Sequence, residues 1–582
     1  MSADTTVPTV EGGRVVRVNG PLVEIEGLHG VAALDVVVVG GNRIPAEVVS
    51  IREGTLTAEA FEYTGGLQVG DPAVSLGRPL SARLGPGLLG GTFDGLLRPL
   101  LDRPTWLVPG ALDRGPSTVR WTFHPATWES GAAVEAGTCL GTVTVGGGLE
   151  HRVLVPPGIS GTLDGLVEAA DVTEDEPIAS VGGRPVTLCE EWPIRRPRPV
   201  RERKRSYAPL VTGQRVIDLL FPIARGATAA VPGGFGTGKT VLLQQVVKWC
   251  DADVIVFVGC GERGNELADS LAELKALVDP RSGRSLLERT VVIANTSNMP
   301  VMAREASIYT GMTVAEYYRD MGYSSVLLAD STSRWAEALR EFSSRSGQLP
   351  AEEGYPASLA SALAAFYERA ARVVTLGGTE GSATVIGAVS PPGGDMTEPV
   401  TAHTERVVRC LWSLDRELAY ARHYPAVSWQ SSFSRDADAV AAWHASEGRV
   451  GWEKSRARAI ALLAEADRLF SVVELVGLAA LPARERMVLL IGRLLHESVL
   501  QQSAMSDNDA YCGPKKQSAL LEMVLAIHDR CLSLVDGGLP ASTVEEVDFG
   551  AVTRARDETG PDDDDGVRRI RDTVLGVLEG QA

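Results

Sequence analysis

The sequence predicts a multidomain α/β protein: two small β units, a parallel-sheet domain and a helical C-terminal part. Three observations carry this. Between residues 227 and 389, apolar runs at 254–258, 291–294, 326–329 and 385–389 alternate with helical stretches. That β-α-β order implies parallel strands, and runs that apolar suit a sheet covered on both faces. Strand-like segments punctuated by Gly and Pro fill 12–77 and again 110–190, and beyond 436 the apolar spacing becomes helical.

Each element follows from its local pattern. Residues 13–18 and 23–26 partly alternate, and 36–39 is an unbroken valine run, with turn residues between, which suggests a small β-barrel. Segments 121–123, 141–145 and 153–157 have the same texture and form a second β unit. Met487, Leu490, Ile491, Leu494 and Leu495 fall on one helical face, and Leu520, Val524, Ile527, Cys531 and Leu534 on another. Such stripes are bundle core. The expected divisions are 1–77 (barrel), 78–109 (lead-in), 110–193 (second β unit), 194–435 (parallel-sheet domain) and 436–582 (helical). The basic segment 195–205, broken by Pro197 and Pro199, reads as a solvated linker rather than a nucleic-acid patch. The tract Asp562-Asp563-Asp564-Asp565 lacks the spaced ligands and glycine of a calcium loop and reads as a solvated connection.

Composition narrows the function classes. Lys and Arg number 56 against 74 Asp and Glu, a net charge of −18. That argues against a nucleic-acid coat, which needs basic surface to displace counterions, and favours solubility. The seven cysteines show no CxxC and no zinc spacing to histidine, so neither a metal cluster nor a disulfide framework is expected. The N-terminus lacks a signal-peptide pattern, and no run approaches the ~18 apolar residues of a membrane helix. A cytoplasmic setting is expected, with any membrane attachment made through partners.

The strongest chemical signal is Gly233-Gly234-Phe235-Gly236-Thr237-Gly238-Lys239-Thr240, a complete GxxxxGK[ST] phosphate loop between an apolar strand and a helix. Its glycines let backbone N–H groups converge on phosphate oxygens, and the helix N-terminus adds its positive dipole end. Lys239 is placed to reach the β and γ phosphates, and the Thr240 hydroxyl to ligate Mg²⁺. Residues 325–330 form an apolar strand ending in Asp330, a second acid for the Mg²⁺ shell. The run 254–258 leads into Gly259-Cys260-Gly261-Glu262-Arg263-Gly264-Asn265-Glu266. Ligands of parallel sheets sit at the carboxyl ends of the strands. Glu262 is therefore a candidate base for water attack, and Arg263 a candidate charge partner.

These stretches, with Ala294-Asn295-Thr296-Ser297-Asn298-Met299-Pro300, Asp330-Ser331-Thr332-Ser333-Arg334-Trp335-Ala336-Glu337, Glu353-Gly354-Tyr355-Pro356 and Ser390-Pro391-Pro392-Gly393-Gly394-Asp395, resemble the catalytic A subunit of V/A-type rotary ATPases. The resemblance runs from about residue 12 to about 515. It implies an N-terminal β-barrel, an inserted bulge domain, a RecA-like ATP-binding domain and a C-terminal helical bundle. It further implies a ring of alternating A and B subunits around a central stalk, held by peripheral stalks on the inner face of the membrane. ATP at A–B interfaces would be hydrolysed or synthesised in step with H⁺ or Na⁺ transport. Residue by residue, Lys239 and Thr240 would serve phosphate and Mg²⁺, Glu262 water, Arg263 the γ-phosphate and Asp330 the metal. Tyr424 matches the adenine-stacking aromatic. Met505 stands where the family usually has a Phe, and Thr237 where eukaryotic relatives carry a cysteine, so no disulfide switch is expected. The arginine finger would come from the B subunit. The competing classes are another hexameric RecA-like motor, such as a type III export ATPase or Rho-like helicase, and a non-catalytic nucleotide-binding subunit. The intact Lys239, Thr240 and Glu262 weigh against the last.

Overall fold

Alternating side chains close the N-terminal strands into a barrel in the computed structural model, which describes residues 10–100, 110, 118–347 and 349–581. The stretches 1–9, 101–109 and 111–117, within the expected barrel, lead-in and second β unit, lie outside the described residues. Around the barrel run Val10–Asn19, Leu22–Glu26, Thr55–Ala60, Ile44–Arg52, Asp35–Val39 and Pro72–Pro79, the last pairing back with the first. Every neighbouring pair is antiparallel. Val15, Val23, Ile25, Val37, Val39, Ala46 and Val48 point inward and are buried. This is the two-residue period of a strand with one face in a core.

The second β unit is a sandwich of two four-stranded sheets. One orders Ala133–Val134, Gly161–Asp164, Ala179–Val181 and Arg184–Val186; the other orders Glu150–Leu154, Cys139–Thr144, Arg120–Pro125 and Ala170–Thr173. Phe123, Val143 and Val153 fill one apolar cluster, and Leu140, Val155 and Leu163 another.

The chain divides into two compact units. The first holds the chain up to Lys204, Ala252–Val389 and Thr397–Val407; the second holds Arg205–Asp251, Ser390–Met396 and the chain from Val408 onward. In the first unit Glu380–Val389, Ser324–Asp330, Val254–Glu262, Thr290–Thr296 and Thr92–Phe93 lie side by side in parallel. The helix Val301–Asp320 against them is buried at every residue. Gly311 makes that approach possible: a Cβ there would lie 2.5 Å from Val258 Cγ2.

The basic segment is a correction to the solvated-linker reading. Arg195 bonds both Glu47 (2.9 Å) and Glu305 (2.6 Å). Arg198 is buried, pairs with Glu190 and Asp320 at 2.6 Å each, and lies over the Trp192 ring. Arg196, Pro197, Pro199 and 201–205 are exposed, and Glu202–Lys204 adds an antiparallel strand to Ala371–Val374. Glu47, Glu305 and Asp320, which draw the arginines inward together with the nearer Glu190, come from distant parts of the chain, so local pattern did not reveal them.

In the second unit, Thr228–Pro232 pairs in parallel with Cys410–Leu411, which pairs antiparallel with Phe433–Ser434. A helical part follows: Ala437–Ser446, Trp452–Val476, Ala483–Leu494, Pro514–Asp536, Ala541–Glu545, Gly550–Glu558 and Asp564–Glu579. Both predicted apolar stripes are buried. The aspartate tract is not a plain loop. Asp563 accepts a hydrogen bond from the Gly566 N–H at 2.8 Å and caps the last helix, with Asp564 and Asp565 in its first turn. Carboxylates there satisfy orphan N–H groups and meet the positive dipole end. Among the described residues no helix is long and apolar enough to cross a membrane.

Candidate functional site

In the second unit the strand Thr228–Pro232 runs into the glycine-rich loop, and the helix Lys239–Trp249 opens at the loop's last residues. Gly238 caps that helix with φ +84°, a conformation that favours glycine. A Cβ on Gly238 would also stand 3.4 Å from the Tyr424 ring, so the glycine lets the ring close over the loop. The Thr237 hydroxyl donates to the Gly234 carbonyl at 2.9 Å and braces the turn from inside. Lys239 Nζ donates to the Ser390 hydroxyl. Gly233 is buried and Gly234 half-buried, while Phe235, Gly236 and Thr240 are exposed.

Beside this loop lies a cavity of about 500 Å³ whose wall includes Gly238, Gln245, Tyr424, Gln502, Met505 and Arg556. The Tyr424 hydroxyl donates to the Ala419 carbonyl at 3.3 Å, and the Tyr424 carbonyl accepts the Gln502 N–H at 2.8 Å. The ring is thus fixed at both ends and still 44% exposed toward the opening. Met505, on the wall of the same cavity, is 96% exposed. An aromatic face and a soft thioether on the wall of one cavity suit a planar ring.

In the first unit Glu262 ends the strand Val254–Glu262, and Asp330 ends the neighbouring strand Ser324–Asp330. The register sets Asp330 opposite Gly259. Burial pushes the Glu262 carboxyl up to about 7, and the nearby Asp330 charge adds to the rise. Arg334, on the helix Thr332–Arg345, opposes that rise and is itself held by Glu337 at 3.0 Å. Gly261, at φ +75°, makes room for it: a Cβ there would stand 2.8 Å from Arg334 Cβ. Glu262, Asp330 and Arg334 therefore form one charged group. Arg263 does not join it closely; its side chain is 78% exposed, with Glu266 at 4.0 Å.

Sequence reasoning gave no role to Arg334, Ser390 or Arg556. The first two lie in stretches singled out as similar to a family, and what ties Arg334 to Glu262 and Ser390 to Lys239 is long-range. Arg556 lies in the tail, where no motif pointed to it. The donor set also bears on Mg²⁺. Among the described residues no group of three or more His, Cys, Asp and Glu could hold a metal by itself. Thr240 in the second unit has an exposed side chain with a hydroxyl, and Asp330 in the first unit ends its strand with a carboxylate. Each is a hard oxygen donor of the kind Mg²⁺ takes, an ion that keeps waters and shares its shell with substrate phosphates.

A strand, a complete phosphate loop and a helix beside an apolar slot, with acids at strand ends of a parallel sheet, define a phosphate-loop nucleotide-binding protein. The comparisons then specify which kind. Residues 213–434 match the ATP synthase alpha/beta family nucleotide-binding domain and 15–77 that family's beta-barrel domain. Residues 111–195 match its barrel-sandwich domain, and 441–543 the C-terminal domain of V and A type ATP synthase. The chain is 47% identical over 551 residues to the A subunit of the A-type ATP synthase of Methanopyrus kandleri, covering 92% of each. It is 47% identical to the V-type ATP synthase alpha chain of Nitrosococcus oceani, over 94% of this chain and 93% of the other. It is 48% identical to that of Anaeromyxobacter dehalogenans, over 93% and 94%. The chain belongs to the V/A-type ATP synthase alpha (A) subunits of the ATP synthase alpha/beta family. It is the catalytic, ATP-hydrolysing or ATP-synthesising subunit of an ion-transporting assembly. The ATPase EscN of the enteropathogenic E. coli type III secretion system is similar in fold, with TM-score 0.64 over 88% of this chain and all of that one, at 22% identity. That likeness shows the fold alone, and neither an export ATPase nor a non-catalytic subunit is favoured.

Proposed function

We propose that this chain performs in-line attack of water on the γ-phosphate of ATP, and the reverse synthesis, at interfaces with a B subunit in an alternating hexamer. In this reading the loop Gly233–Thr240 cradles the phosphates through its backbone N–H groups. Lys239 leaves its Ser390 partner to balance the phosphate charge. Tyr424 and Met505 enclose the adenine. Glu262 accepts the proton of the attacking water, a task suited to a carboxyl held near neutral pH, and Arg263 supports the γ-phosphate. Thr240 and Asp330 would each offer an oxygen to Mg²⁺, which would supply positive charge against the phosphate oxygens. The B subunit supplies the arginine finger. Central and peripheral stalks join the hexamer to a membrane sector that moves H⁺ or Na⁺, so the chain sits on the inner face of the membrane through its partners. We assign 1–77 to the barrel, 78–109 to the lead-in, 110–193 to the bulge, 194–435 to the RecA-like domain and 436–582 to the helical domain.

The observation that carries the reading is the phosphate loop opening directly beside the Tyr424–Met505 cavity, in a chain 47–48% identical to alpha and A subunits. The test is Glu262→Gln in the assembled complex. Turnover should fall by roughly 10²–10⁴ while ATP still binds, since a lost general base costs about that much. Turnover at the wild-type rate would sink the assignment of Glu262.

A further inference from the structure

We propose that the C-terminal tail is part of the nucleotide site, with Arg556 the residue that positions the 501–505 wall against the base of a bound adenine nucleotide. The inference rests on the nucleotide reading of the phosphate loop. Arg556 lies on the helix Gly550–Glu558, far along the chain from any recognised motif, yet its side chain lines the same cavity as Gly238, Tyr424 and Met505. Its Nη1 donates to the Gln501 carbonyl at 2.9 Å and to Asp509 Oδ2 at 3.1 Å. That same Oδ2 accepts the Ser503 N–H at 2.7 Å. The wall is thus held at Gln501 and Ser503 by one guanidinium and the carboxylate it shares.

A second arginine does the purely structural part. Arg215 is fully buried, pairs with Asp509, and donates through Nη2 to the Gln501 carbonyl at 2.6 Å. Gln502 joins in, its Nε2 donating to the Asp509 carbonyl at 2.8 Å and its Oε1 accepting the Arg215 N–H at 2.8 Å. Arg556 differs in facing the cavity. Its Nε is buried and makes no hydrogen bond among the described residues, with Asp557 no closer than 3.8 Å. One guanidinium nitrogen, Nη1, serves both acceptors at this edge and fixes the wall's geometry, while Nε is a donor that the fold itself does not use.

The tail is anchored for this task. Lys516 Nζ, buried under the helix, donates to the carbonyls of Asn508 (2.9 Å), Arg556 (2.8 Å) and Thr559 (2.9 Å). One ammonium therefore links the loop that carries Asp509 to the helix that carries Arg556. Nucleotide affinity becomes a property of the tail as well as of the phosphate loop.

The test compares the full-length wild type with Arg556→Ala, Arg556→Lys and Lys239→Ala, using two probes. Mg-ADP reports base, ribose and phosphates together; magnesium tripolyphosphate reports the phosphate loop without a base. Arg556→Ala should weaken Mg-ADP about tenfold, as expected for a lost charged hydrogen bond, and leave tripolyphosphate unchanged. Arg556→Lys should fall between, because it keeps charge and stem but not the planar fork. It carries the same comparison if the alanine variant does not fold. Unchanged Mg-ADP affinity, or equal weakening of both probes, would overturn the proposal, the second outcome marking a merely structural arginine. A wild-type chain that binds neither probe, or Lys239→Ala that binds both normally, would instead overturn the nucleotide reading beneath it.

Discussion

At the scale of single residues, the site's chemistry follows from where strands end. Glu262 and Asp330 were legible because an apolar run that stops at an acid marks the carboxyl edge of a parallel sheet, and the structure places both there. Arg334 and Ser390 were not assigned, because their relations to Glu262 and Lys239 join stretches far apart in the chain. Met505 sets a direct expectation: Met505→Phe should lower the KM for ATP a few-fold, about the worth of an aromatic pair, with kcat little changed. A KM equal to wild type would remove Met505 from the adenine pocket. Glu59 gives a pH prediction. It is buried on the strand Thr55–Ala60, and its carboxylate oxygens make no hydrogen bond among the described residues. Burial raises it from 4.5 to about 8, outweighing the attraction of Arg345. The folded chain therefore keeps a proton that the unfolded chain releases across this window. Stability is greatest below the window and falls as pH rises through it, by up to about 1.4 kcal/mol per pH unit. Glu59→Gln keeps the shape without the titration. It should melt above the wild type at pH values beyond the window, with the gap closing toward about pH 5. Parallel melting curves at all pH values would contradict this.

At the scale of elements, periodicity was enough wherever one face is buried. The barrel strands and the two apolar helix stripes follow their repeats of two and 3.6 residues. It failed where charge is buried. Arg195 and Arg198 looked like a solvated linker, yet they pair with Glu47, Glu305, Glu190 and Asp320. Removing one partner of a buried pair strands the other, so Arg198→Ala should cost about 3–5 kcal/mol in unfolding free energy. A loss under about 1 kcal/mol, the range of exposed pairs, would show that segment to be solvated after all. Lys516 makes the same point for the tail. Lys516→Met leaves three carbonyls without their donor, at about 1–3 kcal/mol each. Amide exchange across Gly550–Glu558 should then rise more than exchange across Val301–Asp320. Equal protection of both helices would contradict the anchoring role.

At the scale of the whole molecule, the order barrel, sandwich, parallel-sheet domain and helical part was readable because each texture persists over tens of residues. Family resemblance added the identity of the assembly, which composition alone does not carry. A phosphate loop, a strand-end glutamate and an aromatic slot equip this chain to bind and orient ATP. In the proposed reading the transition-state arginine comes from a neighbouring B subunit. That reading makes the chain catalytically incomplete alone. The direct measurement is Mg-ATPase activity of the purified chain, without and with its cognate B subunit, with the assembly mass read in parallel. A large rise on mixing is expected, at a mass fitting three copies of each subunit, abolished by Lys239→Ala. Full activity of the chain alone, indifferent to the B subunit, would contradict it.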